Sequence, residues 1–111
     1  MASVGLLRTL GNKYSAEILD ATDDPQSAQD LSDQLDIPIA TCYRRIDELT
    51  EYDLLELHDS ILSDDRRRIK VYRRNVESVQ VDFEENLSIS VEERSEVTNK
   101  LDEAWRTLSE G

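Results

Sequence analysis

The stretch that decides the fold is SAQDLSDQLDIPIATCYRRIDEL, residues 27–49. Ser27 suits the cap of a short helix that ends near Leu35 and turns Ala28, Leu31 and Leu35 to one side. Asp36-Ile37 reads as a tight turn, and Asp tolerates the left-handed backbone better than most residues. Pro38 suits the first turn of the next helix, where its missing N–H is not needed. That helix is expected to run to about Tyr52 with Cys42, Ile46 and Leu49 as its buried stripe. Two short helices thus meet at a tight turn, the second longer than the first.

Upstream, Leu6, Leu7, Leu10, Tyr14, Ile18 and Leu19 recur at helical spacing, with Gly11-Asn12 as a break and Asp23-Asp24-Pro25 as the stop. Downstream, residues 54–58 read as a short strand, Ser63-Asp64-Asp65 as a turn and residues 68–73 as an alternating second strand. Val79, Val81 and Phe83, then Leu87, Ile89 and Val91, alternate around Glu84-Glu85-Asn86 as a second hairpin. Ser90-Val91-Glu92-Glu93 has the form of a capping box. It opens a predicted last helix with Val97, Leu101, Ala104, Trp105 and Leu108 on one face.

This order of elements is that of a winged helix-turn-helix. Residues 27–49 resemble the helix-turn-helix of the ArsR-like regulators, especially their archaeal members, and Tyr52-Asp53-Leu54-Leu55-Glu56 resembles the approach to the wing in that family. The resemblance spans roughly residues 5–74. It implies a winged helix-turn-helix, and with the second hairpin and last helix read above the expected fold is α+β, a winged helix-turn-helix with an additional β-hairpin and a C-terminal amphipathic helix. Residues 1–74 are expected to form its DNA-binding domain and residues 75–111, the hairpin and last helix, to extend the same domain for dimerisation. The chain departs from the family at Pro38 and Ile39, where polar residues are more usual, and at Asp36, where glycine is common.

A helix fits the major groove of B-DNA and offers its side chains to base edges. With Cys42, Ile46 and Leu49 turned inward, Ile39, Ala40, Tyr43, Arg44 and Asp47 fall on the outer flank. Arg44 suits paired hydrogen bonds to guanine, and Ile39 and Ala40 suit a thymine methyl. Thr41, Tyr43 and Arg45 are candidates for phosphates or bases, and Arg66, Arg67, Arg68 and Lys70 for the backbone or the minor groove. Each has a plainer reading: Arg44 and Arg45 as partners of Asp47 and Glu48, and Arg66–Arg68 as an ordinary charged hairpin tip. Val97, Leu101, Trp105 and Leu108 are the candidate dimer contacts, with packing onto the chain's own N-terminal helices as the alternative. A two-fold dimer places its recognition helices on half-sites about one DNA turn apart.

Composition sets bounds on this reading. At 111 residues the chain suits one domain with a modest core. Its net charge of −12 opposes phosphate binding, but the charge is unevenly spread: residues 1–43 carry −5, residues 75–111 carry −7, and residues 44–74 are neutral. Residues 66–74 hold six bases and no acid. Arginine outnumbers lysine ten to three, and an acidic, lysine-poor surface resembles that of proteins from salt-loving, haloarchaeal-type microbes. In molar salt phosphate charge counts for less, so close apolar and base-edge contacts must carry more of the binding.

No apolar run approaches the roughly 20 residues of a membrane span, and the first residues lack the pattern of a signal peptide; a cytoplasmic protein is expected. Cys42 and His58, the only cysteine and histidine, sit in different elements, so no metal site and no cofactor are expected. The glycines Gly5, Gly11 and Gly111 form no phosphate loop, and no nucleophile has a base beside it, so no catalytic residue is assigned. The expected partner is double-stranded DNA, bound by a homodimer that represses by blocking promoter access. A winged-helix protein adaptor without sequence-specific DNA binding is the rival, favoured by the acidity and opposed by the basic hairpin. Operator, target genes and effector are not written in the sequence.

Overall fold

The computed structural model describes residues 2–94, so the predicted C-terminal helix and its Val97, Leu101, Trp105 and Leu108 lie outside the described residues. The described chain mixes four helices with two small sheets. In chain order they are α1 (Ala2–Gly11), α2 (Ser15–Ala21), β1 (Gln26–Ser27), α3 (Ala28–Leu35), α4 (Ile39–Glu51), β2 (Leu55–Leu62), β3 (Arg68–Arg74), β4 (Val76–Asp82) and β5 (Ser88–Glu93).

The helix boundaries have local causes. Tyr14, left-handed at φ 77°, turns the chain between α1 and α2. The Thr22 hydroxyl closes α2 by donating to the Ile18 carbonyl at 2.8 Å, ahead of Pro25. Ser27 and Asp30 form a reciprocal capping box on α3: the Ser27 hydroxyl accepts from the Asp30 N–H, and the Asp30 carboxylate accepts from the Ser27 N–H, each at 3.0 Å. Asp36 ends α3 in the left-handed conformation (φ 55°, ψ 50°) and Ile37, whose N–H reaches the Ser32 carbonyl at 3.1 Å, drops into the core. Pro38 stands one position earlier than its sequence suggests: it caps α4, and its carbonyl accepts the first helical bond from Cys42 at 3.0 Å.

β3 is the centre of the first sheet, antiparallel to β1 on one side and β2 on the other. The expected first strand is longer than residues 54–58. It starts at Leu55 and reaches Leu62, because a bulge between Leu57 and Asp59 lets the polar Asp59-Ser60 step stay in the ladder opposite Val71 and Lys70. β1 has no counterpart in the sequence reading. Its two residues pair with Tyr72 and Val71, and only that pairing makes them a strand.

A second correction concerns residues 90–93. The capping-box pattern there does not open a helix, because Ser90, Val91, Glu92 and Glu93 lie in β5, opposite Gln80, Val79, Ser78 and Val76. Cross-strand pairing of the valines outweighs a local capping signal.

One core joins the elements. Ile18, Leu31, Ile46, Leu49, Leu54 and Leu55 are its fully buried large side chains, and Leu6, Ile37, Cys42 and Val76 complete its walls. Burial of each such leucine or isoleucine stabilises the fold by roughly 1.5–3 kcal/mol before entropy is charged. Gly5 lets α1 approach the C-terminal end of α4, since a β-carbon there would strike the Tyr52 ring and hydroxyl. The second hairpin shares the core through Val76, Val79 and Ile89. Asp23 ties its base down, pairing with Arg74 at 3.1 Å and with Arg94 at 3.2 Å.

Candidate nucleic-acid interface

α4 is amphipathic, and its inner stripe of Cys42, Ile46 and Leu49 is fully buried. Helical spacing therefore presents the opposite side outward. Ile39, Ala40, Tyr43, Arg44 and Asp47 are all exposed there, Tyr43 by 53%. The Arg44 guanidinium has no hydrogen bond or ion pair among the described residues.

Arg45 is placed differently. Its guanidinium lies 2.7 Å from the Glu48 carboxylate and donates to the Lys13 carbonyl at 2.8 Å, while Asn12 donates to the other Glu48 oxygen at 2.6 Å. Arg45 and Glu48 thus clamp the α1–α2 turn against the side of α4. Thr41 is half-buried on that same flank, one turn ahead of Arg45. The sequence carried a signal for this pair in its i, i+3 spacing, and none for Asn12 and Lys13, which come from 32 or more residues away.

The β2–β3 hairpin stands beside α4 and brings Arg66, Arg67, Arg68 and Lys70 to an exposed end. Its turn is closed by Ser63 and Arg67, with the Ser63 N–H reaching the Arg67 carbonyl at 2.8 Å and the Arg66 N–H the Ser63 carbonyl at 2.9 Å. Arg66 sits in this turn at φ 63°, a conformation that favours glycine. The side chains of Arg66, Arg68 and Lys70 make no ion pair among the described residues, and Arg67 has only a 3.8 Å contact with the exposed Asp65. Such a surface pair is worth at most about 1 kcal/mol, so these cations remain available.

Between helix and hairpin runs a cleft of about 760 Å³. Tyr43 and Asp47 of α4 line one wall, Asp30 stands at the start of α3, and Arg67, Arg68 and Lys70 line the hairpin side. Tyr72 of β3 also lines it, and the sequence reading did not single it out. Burial, then the nearby Asp47 charge, then Tyr43 push the Tyr72 phenol above its usual range, so it is a neutral hydrogen-bonding group at any ordinary pH. Cys42 lies behind this surface, and burial raises its thiol above the ordinary 9.0. Among the described residues no three His, Cys, Asp or Glu side chains converge on a point fit for a metal ion.

A paired short and long helix, a three-residue turn and an outward face on the second helix make up residues 28–51. The family described as a helix-turn-helix domain matches residues 10–58. The match covers 49 of the 111 residues and is to a helix-turn-helix domain. The match takes in α2, α3 and α4 together with the start of β2. No curated protein and no solved structure matches the chain. Among the described residues no helix is long and apolar enough to cross a membrane.

Proposed function

We propose that this chain is a sequence-specific transcriptional regulator that reads the major groove of double-stranded DNA with α4 and lays the β2–β3 hairpin, as a wing, along the backbone or into the minor groove. One observation carries the reading: the outer face of α4 holds Arg44, without a partner among the described residues, beside exposed apolar side chains, and Tyr43 and Asp47 of that helix share a cleft with the exposed Arg67, Arg68 and Lys70 of the hairpin. In this reading Arg44 forms paired hydrogen bonds with a guanine, worth about 1–3 kcal/mol of discrimination. Ile39 and Ala40 meet a thymine methyl, Tyr43 reaches a base or phosphate at the cleft edge, and Arg66, Arg67, Arg68 and Lys70 hold the backbone. Arg45 is left out of the contact set because it is committed to Glu48 and Lys13.

The same reading makes the protein an ArsR-like, cytoplasmic, haloarchaeal-type regulator with no catalytic role. It acts as a two-fold homodimer on a near-palindromic operator, held together through the stripe Val97, Leu101, Trp105 and Leu108, and it represses by blocking promoter access. What supports the salt-loving assignment is the acid coat with its ten-to-three arginine-to-lysine ratio.

The test is selection of bound genomic fragments by the purified protein at low and at molar potassium chloride, with Arg44→Ala alongside. One inverted-repeat motif, relaxed at a G·C pair in the variant, is the expected result. Fragments with no shared motif, or no binding at either salt, would overturn the reading in favour of a protein adaptor.

A further inference from the structure

Arg44 and Asp47 stand three residues apart on the exposed face of α4, a spacing at which opposite charges pair across a helical turn. The same spacing does pair Arg45 with Glu48, at 2.7 Å. Arg44 and Asp47 make no such contact, and the Asp47 carboxylate has no hydrogen bond or ion pair among the described residues. The hairpin does not neutralise it either, although it lines one cleft with Arg67, Arg68 and Lys70. Its charge is felt inside that cleft, where burial first and then Asp47 hold the Tyr72 phenol above its usual range.

An unpaired carboxylate is out of place on a surface that meets phosphates, because against the DNA backbone it only repels. It is useful where a base edge offers a donor and no acceptor. In the major groove guanine shows N7 and O6 and thymine shows O4, all acceptors that repel a carboxylate. Adenine sets its N6 donor beside the N7 acceptor. Cytosine alone offers a donor, the N4 amino group, with no acceptor on its own edge.

We infer that Asp47 is a second base-reading residue of α4, accepting from the N4 amino group of a cytosine beside the base pair that Arg44 reads. The inference rests on the DNA-binding function proposed above. Three residues of helix rise about 4.5 Å and successive base pairs stand about 3.4 Å apart, so the two side chains address neighbouring pairs. Their opposite charges demand opposite chemistry from the two bases, acceptors for Arg44 and a donor for Asp47. Asp47 discriminates as much by exclusion as by attraction, since any other base at its position leaves the carboxylate facing acceptors without a partner.

The experiment selects bound sequences from randomised double-stranded DNA with the full chain, Asp47→Ala and Asp47→Asn at one salt concentration. Binding constants are then measured on the selected duplex and on duplexes changed at single base pairs. The parent should select a cytosine next to the G·C pair assigned to Arg44, and replacing that cytosine should weaken binding about tenfold. Asp47→Ala should lose that tenfold at this pair alone and bind unrelated DNA more tightly, because a repelling charge has gone. Asp47→Asn should move the preference towards adenine, whose N6 and N7 an amide matches. Continued protection of the buried Cys42 from alkylation shows that each variant's core is intact. A motif that both variants leave unchanged, whatever happens to overall affinity, would overturn this inference and leave the regulator reading standing. Loss of preference at every position alike would make Asp47 a support of α4 and not a reader, and would overturn it too. Recovery of no motif by the parent would sink the regulator reading and this inference with it.

Discussion

Arg44 and Arg45 are adjacent in sequence, and the structure separates them by what they touch: Arg44 is exposed without a partner among the described residues. Arg45 has a partly buried carboxylate and a backbone carbonyl within 2.8 Å. Arg45→Ala removes both contacts and leaves Glu48 with Asn12 alone, so it should cost about 1–2 kcal/mol in urea unfolding and leave base preference intact. Arg44→Ala should stay within about 0.5 kcal/mol of the parent stability and lose discrimination at one base pair. The reverse pattern would exchange their roles. Arg66 makes a sharper test, because its φ of 63° is a strain that glycine does not feel. Arg66→Gly relieves about 1–2 kcal/mol of backbone strain and returns about 0.4–1 kcal/mol through the looser unfolded chain. The melting temperature should therefore hold or rise while DNA affinity falls. A drop in melting temperature would mean that the side chain, not the backbone, stabilises the turn.

At the scale of elements, α3, the turn and α4 are legible in the sequence because each is specified locally. A capping serine, a helical apolar period and a proline at the next start lie within 23 residues. What the sequence hides is set by distant partners: β1 exists only because Tyr72 and Val71 pair with it, and residues 90–93 are strand only because β4 lies alongside. The outward face of α4 is legible for the same local reason as its inner stripe, whereas the commitment of Arg45 depends on a turn 32 residues away. The inner stripe gives a pH-dependent prediction through Cys42. Burial raises the thiol in the folded state above 9.0, so the folded chain holds that proton more tightly than the unfolded chain does. The associated stability is present below about pH 9 and is lost as the pH climbs through the folded value. Tyr72 acts with the same sign at higher pH, burial again being the larger cause. Melting temperature should fall above about pH 9, less steeply in Cys42→Ala. At neutral pH iodoacetamide should label Cys42 only at the rate of unfolding; rapid labelling of the folded chain would contradict the burial of that stripe.

Over the whole molecule, two kinds of charge interaction respond to salt in opposite directions, and their ranges decide which wins. A net charge of −12 repels itself over distances comparable to the protein. Contact pairs such as Asp23 with Arg74 and Arg94, at 3.1 and 3.2 Å, act at short range. The screening length is roughly 30 Å at 0.01 M and 3 Å at 1 M ionic strength, so added salt removes the repulsion almost entirely and the contacts only in part. Raising potassium chloride from about 0.01 M to 1 M should therefore raise the melting temperature. Asp23→Ala separates the two effects, since it deletes one acid from the coat and also the anchor of the second hairpin. If the anchor matters more, the variant melts below the parent at both salts, and its melting temperature still climbs with salt. If Asp23→Ala instead matches or exceeds the parent at low salt, repulsion outweighs the junction. The packing of Val76, Val79 and Ile89 and the backbone bonds at Asn75 and Arg94 would then hold the second hairpin more than the Asp23 carboxylate does.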